Sequence, residues 1–385
     1  MTSEIAIADV EIFVLRAPAV PPVQTSFGVM HTRPALLVRV RDKSGCHGWG
    51  EVWCNFPSVG AEHRARMILE YVKPIVISQA WRDPRQCYDA LSSRFEILAL
   101  QSGEPGTLHQ IAAGVDMAIW DMAARRAGLP LWRFIDGSAG EELPRIAVYA
   151  SGLNPQYPER LAAEKWAEGH RAFKLKVGFG QSVDEHNLRA LRATLGEDAA
   201  LMADANQAWS LDQAVDSGRR FERFGLLWLE EPIRADSPED SWATLADAQP
   251  IALAAGENFS GISQFDRFIK RGALSIIQPD VGKWGGFTGC VAVARNANVH
   301  GRWVCPHWLG GGVGLMAAMH LKAAVGGPGY VEIDANPNPL RERLLPPDFV
   351  VRDGYISLTD NAGLGFEPDI EACAEFMVDF VGASV

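Results

Sequence analysis

The chain has 385 residues, of which 48% are hydrophobic and 22% charged, and its formal net charge is −11 at pH 7. This length predicts two domains, or one large domain with an appendage. The acidic balance argues against nucleic acid as the main partner, and no stretch is long and apolar enough to predict a membrane-spanning helix.

The first residues and the cysteines indicate the compartment. The start, MTSEIAIADVEIF, carries acidic residues where a secretory signal would be basic, so export is not expected. The six cysteines show no CxxC spacing and no neighbouring base that would activate a thiolate, so a catalytic cysteine is not expected. They are typical of reduced thiols in a cytoplasmic protein, and they are Cys46, Cys54, Cys87, Cys290, Cys305 and Cys373.

Residues 1–135 predict a separate α+β region. EIFVLRAP (11–18) and ALLVRVRDKSGCHGWGEVW (35–53) are typical of antiparallel strands, with a turn at 42–45. A helical stretch over 109–127 is expected to end at Gly128-Leu-Pro130. The segment 18–34 is long for a hairpin connection, so we expect it to be a loop that acts as a lid.

From residue 145 onward, short apolar runs alternate with amphipathic helical stretches. This alternation predicts βαβ units and a parallel sheet, and eight such units predict a closed (β/α)₈ barrel. An open doubly wound sheet is the alternative, although no GxGxxG turn follows the first run. The runs are RIAVYASG (145–152), AFKLKVG (172–178), ALMADANQ (200–207), LLWLEEP (226–232), IALAAGEN (251–258), LSIIQPD (274–280), RWVCPHW (302–308) and GYVEID (329–334).

Seven successive runs end in ionisable side chains that recur every 23 to 28 residues. One acidic residue at a strand end is commonly a cap for the next helix, but seven in succession are hard to explain in that way. Functional residues of such barrels lie at the carboxyl ends of the strands, so these groups are predicted to surround one mouth. They are Lys174 with Lys176, Asp204, Glu230 with Glu231, Glu257, Asp280, His307 and Glu332.

Three carboxylates, Asp204, Glu230 and Glu257, lie on adjacent predicted strands. Three such groups cannot all stay ionised at one place without a cation. Oxygen ligands favour Mg²⁺, whereas the lack of thiolates and the presence of one histidine make zinc less suitable. The alternative is a network of ion pairs between these carboxylates and the lysines.

Two candidate bases are predicted on opposite sides of this mouth. Lys174 and Lys176 point to the same side of their strand, and the neighbouring lysine and a metal ion would lower the pKa of Lys176. Asp280 can accept a hydrogen bond from one ring nitrogen of His307 and leave the other nitrogen free to take a proton. Beside an anionic substrate, Glu332 could be protonated and donate a hydrogen bond to a developing negative oxygen.

These groups predict removal of the proton next to a carboxylate that a metal ion and a lysine hold. A metal ion would also stabilise the enolate that forms, since negative charge appears there in the transition state. Return of a proton to the opposite face would give a racemase or epimerase. Loss of a β-hydroxyl would give a dehydratase.

The motifs together resemble the enolase superfamily, and within it the mandelate racemase subgroup of the mandelate racemase/muconate lactonizing enzyme family. They are KLK (174–176), DAN (204–206), EEP (230–232), GEN (256–258), QPD (278–280), PH (306–307) and Glu332, with GWGE (48–51) and 114–133 as structural stretches. The resemblance implies a modified TIM (β/α)₇β-type barrel at 136–334. It also implies a capping domain at 1–135 and a C-terminal segment, 335–385, that returns to the cap.

The resemblance implies a role for each site residue. Asp204, Glu230 and Glu257 resemble the Mg²⁺ ligands, and Lys174 resembles the contact to the substrate carboxylate. The bases on the two faces would be Lys176 and His307 with Asp280, and Glu332 would be the hydrogen-bond donor. A glutamate at 257 together with the Asp–His pair favours this subgroup over the muconate cycloisomerases, and Lys283 is expected to lie in a loop.

The substrate is expected to be a small-molecule carboxylate. Dehydration of a sugar acid is the main hypothesis, because most members of the family that have both bases are acid-sugar dehydratases. A 2-hydroxy-acid racemase, a cycloisomerase and a non-catalytic binding protein are the alternatives. The expected substrate contacts are Phe27, Arg33, Asn206 and Trp308, and the run GGGVG (310–314) would bind an anion or form a tight turn. A symmetric homo-oligomer is also expected.

Overall fold

A computed structural model describes residues 4–137 and 142–379. It begins with an antiparallel sheet in which β2 lies between β1 and β3. Alternate residues of β2 face opposite sides, so that Leu37 joins the core beside the barrel and Leu36 joins the core beneath the cap helices. The strands are β1 (Ile7–Thr25), β2 (Gly28–Asp42) and β3 (His47–Val52).

The segment 18–34 forms strands, so the prediction of a loop was wrong. β1 and β2 pair up to Thr25 opposite Gly28, with a turn of two residues between them. A loop was predicted because the segment is long for a hairpin connection. The prolines at 21 and 22 cannot donate to a sheet. They lie where the pairing register shifts between Pro18 and Val23, so the ladder continues on both sides of them.

The cap helices pack on this sheet mainly through α4. Its residues Ile111–Ala124 are buried, and β3 approaches the helix closely at two glycines. A Cβ atom on Gly50 would lie 2.0 Å from the carbonyl oxygen of Gly114. Gly128, with φ of 64°, ends α4 as predicted. The cap helices are α1 (Gly60–Met67), continued by a π-helical turn (Ile68–Val72), α2 (Lys73–Val76), α3 (Pro84–Ser102), α4 (Pro105–Ala127) and α5 (Leu131–Asp136).

All eight predicted barrel strands are present, and seven helices connect them. The strands pair in parallel in the order β10-β9-β8-β7-β6-β5-β4-β11. The strands are β4 (Arg145–Leu153), β5 (Ala172–Lys176), β6 (Ala200–Asp204), β7 (Leu229–Glu230), β8 (Leu253–Ala255), β9 (Ile276–Ile277), β10 (Trp303–Val304) and β11 (Val331–Asp334). The helices are α6 (Pro158–Ala167), α7 (Gln181–Leu195), α8 (Leu211–Phe221), α9 (Glu239–Ala248), α10 (Ile262–Arg271), α11 (Gly286–Val299) and α12 (Gly312–Val325), and 3₁₀ turns span Glu222–Phe224 and Glu371–Phe376.

The ends of this strand path meet. The amide of Glu332 donates to Pro306 O (3.4 Å) and that of Val304 donates to Pro328 O (3.2 Å), which joins β11 to β10. This closure and the sequential strand order rule out the open doubly wound alternative. The expected modified TIM barrel with an α+β cap is therefore confirmed.

The C-terminal segment runs back across the barrel to the cap. It contains α13 (Pro339–Glu342) and β12 (Tyr355–Ser357), and β12 pairs with β4. The amide of Val378 then donates to Val14 O (2.8 Å), and Glu367 accepts from Trp49 Nε1 (2.7 Å). The predicted division of the chain stays a prediction, and positions 1–3, 138–141 and 380–385 lie outside the described residues. Among the described helices, none has the length and apolar character to cross a membrane.

Candidate active site

The ionisable side chains that follow the barrel strands meet at one end of the barrel. Lys176, Asp204 and Glu230 are adjacent in register, since Lys176 pairs with Asp204 and Asp204 with Glu230. Glu257 lies two residues after β8, and His307 lies three residues after β10. These side chains are about nine-tenths buried or more. Burial strengthens every charge interaction among them.

Each lysine of β5 pairs with carboxylates. Lys174 Nζ lies 2.6 Å from Glu230 Oε1 and 2.9 Å from Glu332 Oε1, and Lys176 Nζ lies 2.5 Å from Asp204 Oδ2. Burial lowers the pKa of Lys176, but the charges of Asp204, Glu230 and Glu332 together outweigh this effect and raise that pKa. The expected lowering of this pKa involved a metal ion as well as Lys174, so it stays a prediction.

His307 lies between two carboxylates. Its Nδ1 is 2.5 Å from Asp280 Oδ2, as the predicted pair requires, and its Nε2 is 2.5 Å from Glu257 Oε2. Burial lowers the pKa of His307, whereas Glu257, Glu332 and Asp280 raise it to about 10. The imidazole is thus protonated in this arrangement and can donate a proton, and it becomes a base only when Glu257 turns away from Nε2.

The pKa of Glu332 depends on burial and on three cationic side chains. Burial raises its pKa, but Lys174, His307 and Lys176 outweigh burial and lower that pKa. The carboxyl is therefore ionised and accepts a hydrogen bond from Ser151 Oγ. Its protonation beside an anionic substrate stays a prediction.

A second layer of residues surrounds this ring, and its contacts were not predicted from the sequence. Gln278 Nε2 donates to Glu230 Oε2 (2.5 Å), and Asn258 Nδ2 donates to both oxygens of Glu231 (3.0 and 2.9 Å). Glu231 has φ of 37°, which is unusual for glutamate, and burial raises its pKa well above the ordinary value. The motifs contain these residues, but only the folded barrel shows which ones contact the ring.

Lys283 also contributes to the site. It lies in the loop after β9, as expected, but its Nζ is 3.6 Å from Glu257 Oε1 and 3.1 Å from Asn258 Oδ1. The same ammonium lies 4.6 Å from the centre of the Trp53 ring. A cation–π contact therefore joins the cap to the barrel beside the third predicted metal ligand.

The donor set fits a hard divalent cation. The ring holds more buried carboxyl groups than cationic side chains, and this excess is consistent with the pKa of Glu230, which burial raises to about 7. A divalent cation would offset the excess through all-oxygen ligands. The carboxyl groups are Asp204, Glu230, Glu231, Glu257, Asp280 and Glu332, and the cationic side chains are Lys174, Lys176, Lys283 and His307.

In the structure, these side chains form the alternative arrangement, which is a network of ion pairs. Asp204, Glu230 and Glu257 bind Lys176, Lys174 and His307 respectively. In the described part of the chain, no three His, Cys, Asp or Glu side chains stand close enough to hold a metal ion. Metal binding therefore requires these carboxylates to exchange amine and imidazole partners for the ion.

The predicted substrate contacts divide into two groups. Phe27, at the hairpin tip, is 62% exposed and packs edge-on against Phe56 (5.1 Å between ring centres). Asn206 donates to Asp204 Oδ2 (3.2 Å), and its own Oδ1 is buried without a hydrogen-bond partner. Their role as substrate contacts stays a prediction.

Arg33 and Trp308 are bound to other groups of the protein, and their role as substrate contacts stays a prediction. The guanidinium of Arg33 is buried against Asp334 Oδ2 (2.5 Å), so its charge is already paired. Trp308 is 2% exposed, and its Nε1 donates to Gly311 O (2.9 Å). The Arg33–Asp334 ion pair joins the cap to the barrel, and the Trp308 indole is held within the barrel loops.

The glycine run binds an anion of the protein itself. Gly311 N and Gly314 N donate to the carboxylate of Glu51, at 2.5 and 2.9 Å, where α12 begins. Glu51 belongs to the GWGE stretch of β3, so the cap supplies this anion. The expected binding of an external anion is therefore replaced by an interdomain contact.

Comparisons with known proteins match nearly the whole chain. Residues 8–136 match the family model described as "Mandelate racemase / muconate lactonizing enzyme, N-terminal domain", and residues 159–372 match "Enolase C-terminal domain-like". D-galactarolactone cycloisomerase from Agrobacterium fabrum is 31% identical, over 89% of this chain and 91% of the relative. Arabinonate dehydratase from Saccharolobus solfataricus is 26% identical, over 87% and 88%.

Solved structures agree with this assignment. A mandelate racemase/muconate lactonizing enzyme from Bordetella bronchiseptica RB50 is 47% identical, with a TM-score of 0.90 over 97% of this chain and 99% of that one. A racemase from Streptomyces coelicolor A3(2) with bound magnesium is 27% identical, with a TM-score of 0.86 over 97% and 100%. The chain therefore belongs to the mandelate racemase/muconate lactonizing enzyme family of the enolase superfamily.

Proposed function

We propose that the protein catalyses Mg²⁺-dependent removal of the proton next to a carboxylate, and that its reaction is the dehydration of a sugar acid. The observation that carries this proposal is the placement of two proton carriers across one ring of carboxylates. Lys176 ends β5 and His307 follows β10, and these strands are separated by four strands in one direction and two in the other. Two faces of a substrate carbon can therefore be served.

Each residue of the ring would have a separate role. Asp204, Glu230 and Glu257 would hold Mg²⁺, which when bound supplies positive charge beside the substrate carboxylate. Lys174, already paired with carboxylates, would contact the same substrate group. His307 would keep Asp280 on Nδ1 and exchange a proton at Nε2 once Glu257 no longer occupies that nitrogen.

Dehydration follows from these two carriers. Once Asp204 no longer pairs with it and it has lost its own proton, Lys176 Nζ takes the proton from the carbon next to the carboxylate, and the electron pair of that C–H bond forms the new double bond. The C–O bond at the neighbouring carbon breaks, and the leaving hydroxyl takes a proton from His307 Nε2 to depart as water. The resulting enol becomes a 2-keto acid, and the opposite assignment of the two carriers serves the other configuration.

The comparisons support a sugar-acid substrate, since one relative is an arabinonate dehydratase. A cycloisomerase is the second candidate, because the relative at 31% identity carries that name and Lys283 places an additional ammonium beside Glu257. A racemase would use the same two carriers. A non-catalytic binding protein would not need both carriers in place.

Proton NMR in D₂O with Mg²⁺ tests the proposal on a panel of mono- and di-acid sugars, sugar lactones and aryl 2-hydroxy acids. Loss of the α-proton signal together with a new 2-keto acid is the expected result. Exchange without net product would identify a racemase, and conversion without loss of water would identify a cycloisomerase. Absence of Mg²⁺ binding would overturn the role of the three carboxylates.

Variants at the two carriers provide the first prediction. Lys176→Met should lower the rate of α-proton exchange on one face of the substrate carbon by at least about 100-fold, because it removes one proton carrier. His307→Asn should lower the rate on the other face to the same extent. Each variant is the control for the other. Equal residual exchange of both configurations by both variants would contradict the two-face arrangement.

A symmetric homo-oligomer and a cytoplasmic location complete the proposal. The oligomer rests on family resemblance, and the location rests on the unpaired cysteines. Light scattering coupled to size exclusion measures the first, and fractionation of the source cells measures the second.

A further inference from the structure

The carboxylate of Glu51 lies at the junction between cap and barrel. Glu51 is 1% exposed and accepts from two backbone amides, those of Gly311 and Gly314, at the start of α12. This contact immediately follows the loop that carries His307. A cap residue therefore fixes the chain four residues beyond the proposed proton carrier.

Trp308 connects the turn that Glu51 binds with His307, its neighbour in the chain. Its indole lies so close to the glycines that a Cβ atom on Gly314 would be 1.9 Å, and one on Gly310 2.5 Å, from the ring. Its Nε1 donates to the carbonyl of Gly311, whose amide binds Glu51. The indole ring of Trp308, the residue that follows His307, is thus held by the turn that Glu51 binds.

The same cap strand also reaches Asp280. Trp53 N, just beyond β3, donates to Gly282 O (3.3 Å), and Gly282 N donates to Asp280 Oδ1 (2.8 Å). Asp280 Oδ2 in turn holds His307 Nδ1. Both members of the Asp280–His307 pair are therefore connected to the segment 51–53, whereas Lys176 on β5 has no such contact among the described residues.

We propose that Glu51 is a positioning residue for His307 and Asp280, so that docking of the cap supports proton transfer on the His307 face in particular. Glu51 does not touch the reacting atoms and acts through the turn at 310–314. The kinetic part of this inference rests on the proposed function. The positioning itself does not.

Glu51→Gln tests the inference, because the amide nitrogen of glutamine would face an N–H donor and weaken one of the two contacts. Asp121→Asn is the matched control. Asp121 is also fully buried and accepts from two backbone amides, Trp49 N (2.8 Å) and Leu364 N (2.6 Å), but it contacts neither the turn at 310–314 nor Asp280. Both variants lose a comparable buried contact of the cap.

The first measurement needs no substrate. The ring carbon–proton signals of His307, assigned from their loss in His307→Asn, should shift or broaden in Glu51→Gln and stay in place in Asp121→Asn, with Mg²⁺ present throughout. Unchanged His307 signals in Glu51→Gln would overturn the inference. Silence of the wild type toward every substrate in the panel would count against the proposed function alone.

The second measurement compares the two faces. In Glu51→Gln, the ratio of α-proton exchange on the His307 face to that on the Lys176 face should fall by about 10-fold or more, since small displacements of a proton carrier are costly. Asp121→Asn should leave the ratio unchanged. An equal loss on both faces would mean that Glu51 serves the fold only. If Glu51→Gln does not fold, Glu51→Asp, which keeps the charge and shortens the reach, is measured in the same way.

Discussion

At the scale of single residues, Lys283 shows how a loop residue acquires a role through contacts that sequence distance hides. Its ammonium is held between Glu257, Asn258 and the face of Trp53. The loop position was predictable from the motif QPDVGKWGG. The contact with Trp53 was not, because that ring comes from the cap, 230 residues earlier in the chain.

Removing this charge should strengthen metal binding. Lys283→Met takes away a positive charge 3.6 Å from a proposed Mg²⁺ ligand, so the Mg²⁺ dissociation constant should fall about fivefold, roughly 1 kcal/mol, in calorimetric titration. Lys165→Met, on α6 and paired with Glu168 at 2.7 Å, is the control. Weaker Mg²⁺ binding by Lys283→Met would show that the ammonium organises the site instead of competing with the ion.

His320 predicts a pH dependence of stability. Its Nδ1 accepts from Trp132 N (3.1 Å), its Nε2 lies 3.2 Å from Leu364 O, and burial lowers its pKa from 6.5 to about 4. Below pH 6.5 the unfolded chain takes up this proton first, so stability falls as the pH drops toward 4, by on the order of 3 kcal/mol.

Urea unfolding between pH 7 and pH 4 measures this loss. His320→Gln should be less stable at pH 7 but should lack that part of the decline, since no imidazole remains to take up the proton. His186→Gln, at an exposed position on α7, should follow the wild type. A wild-type curve and a His320→Gln curve that stay parallel would contradict the assignment.

At the scale of elements, close approach of backbones decides where β3 lies. The alternation of residues predicted strands at 11–18 and 35–53, and the glycines of GWGE were assigned as structural. Their reason is visible only in the fold, where β3 lies directly on α4 at Gly50 and Gly114. The hairpin at 18–34 was missed because the segment is long for a hairpin connection, whereas pairing of β1 with β2 continues past the register shift.

Gly50→Ala should therefore be strongly destabilising. The new Cβ would lie 2.0 Å from the Gly114 carbonyl oxygen, so β3 and α4 must separate, at a cost of about 3 kcal/mol or more. Gly106→Ala, in the first turn of α4 with nothing within 4 Å, should be neutral or slightly stabilising. Denaturant unfolding measures the stability of both variants. Similar stabilities would contradict the close contact between β3 and α4.

At the scale of the whole molecule, the excess of buried carboxyl groups links metal binding to stability. Strands from one barrel bring these groups together, so an ion that binds them stabilises only the folded chain. At 100 times the dissociation constant, Mg²⁺ should add about 2.7 kcal/mol to the free energy of unfolding.

Calorimetric scans with Mg²⁺ and with EDTA measure this effect as a rise in Tm. Glu230→Gln should lose the Mg²⁺-dependent rise, because the bond between Lys174 and a carboxylate remains possible through Glu332 whereas a metal ligand is gone. Glu168→Gln, on the surface after α6, should keep the rise. A rise that survives in Glu230→Gln would remove this residue from the metal ligands.

The sequence by itself determined the barrel, the order of its strands and the ring of ionisable groups, because strand periodicity and spacing are local properties that repeat along the chain. It also carried the family motifs. Only the tertiary structure decided which charges pair, that Arg33 and Trp308 are buried and that Glu51 occupies the amides of Gly311 and Gly314. These features depend on contacts between distant segments, and the free energy of a buried charge depends on every group that surrounds it.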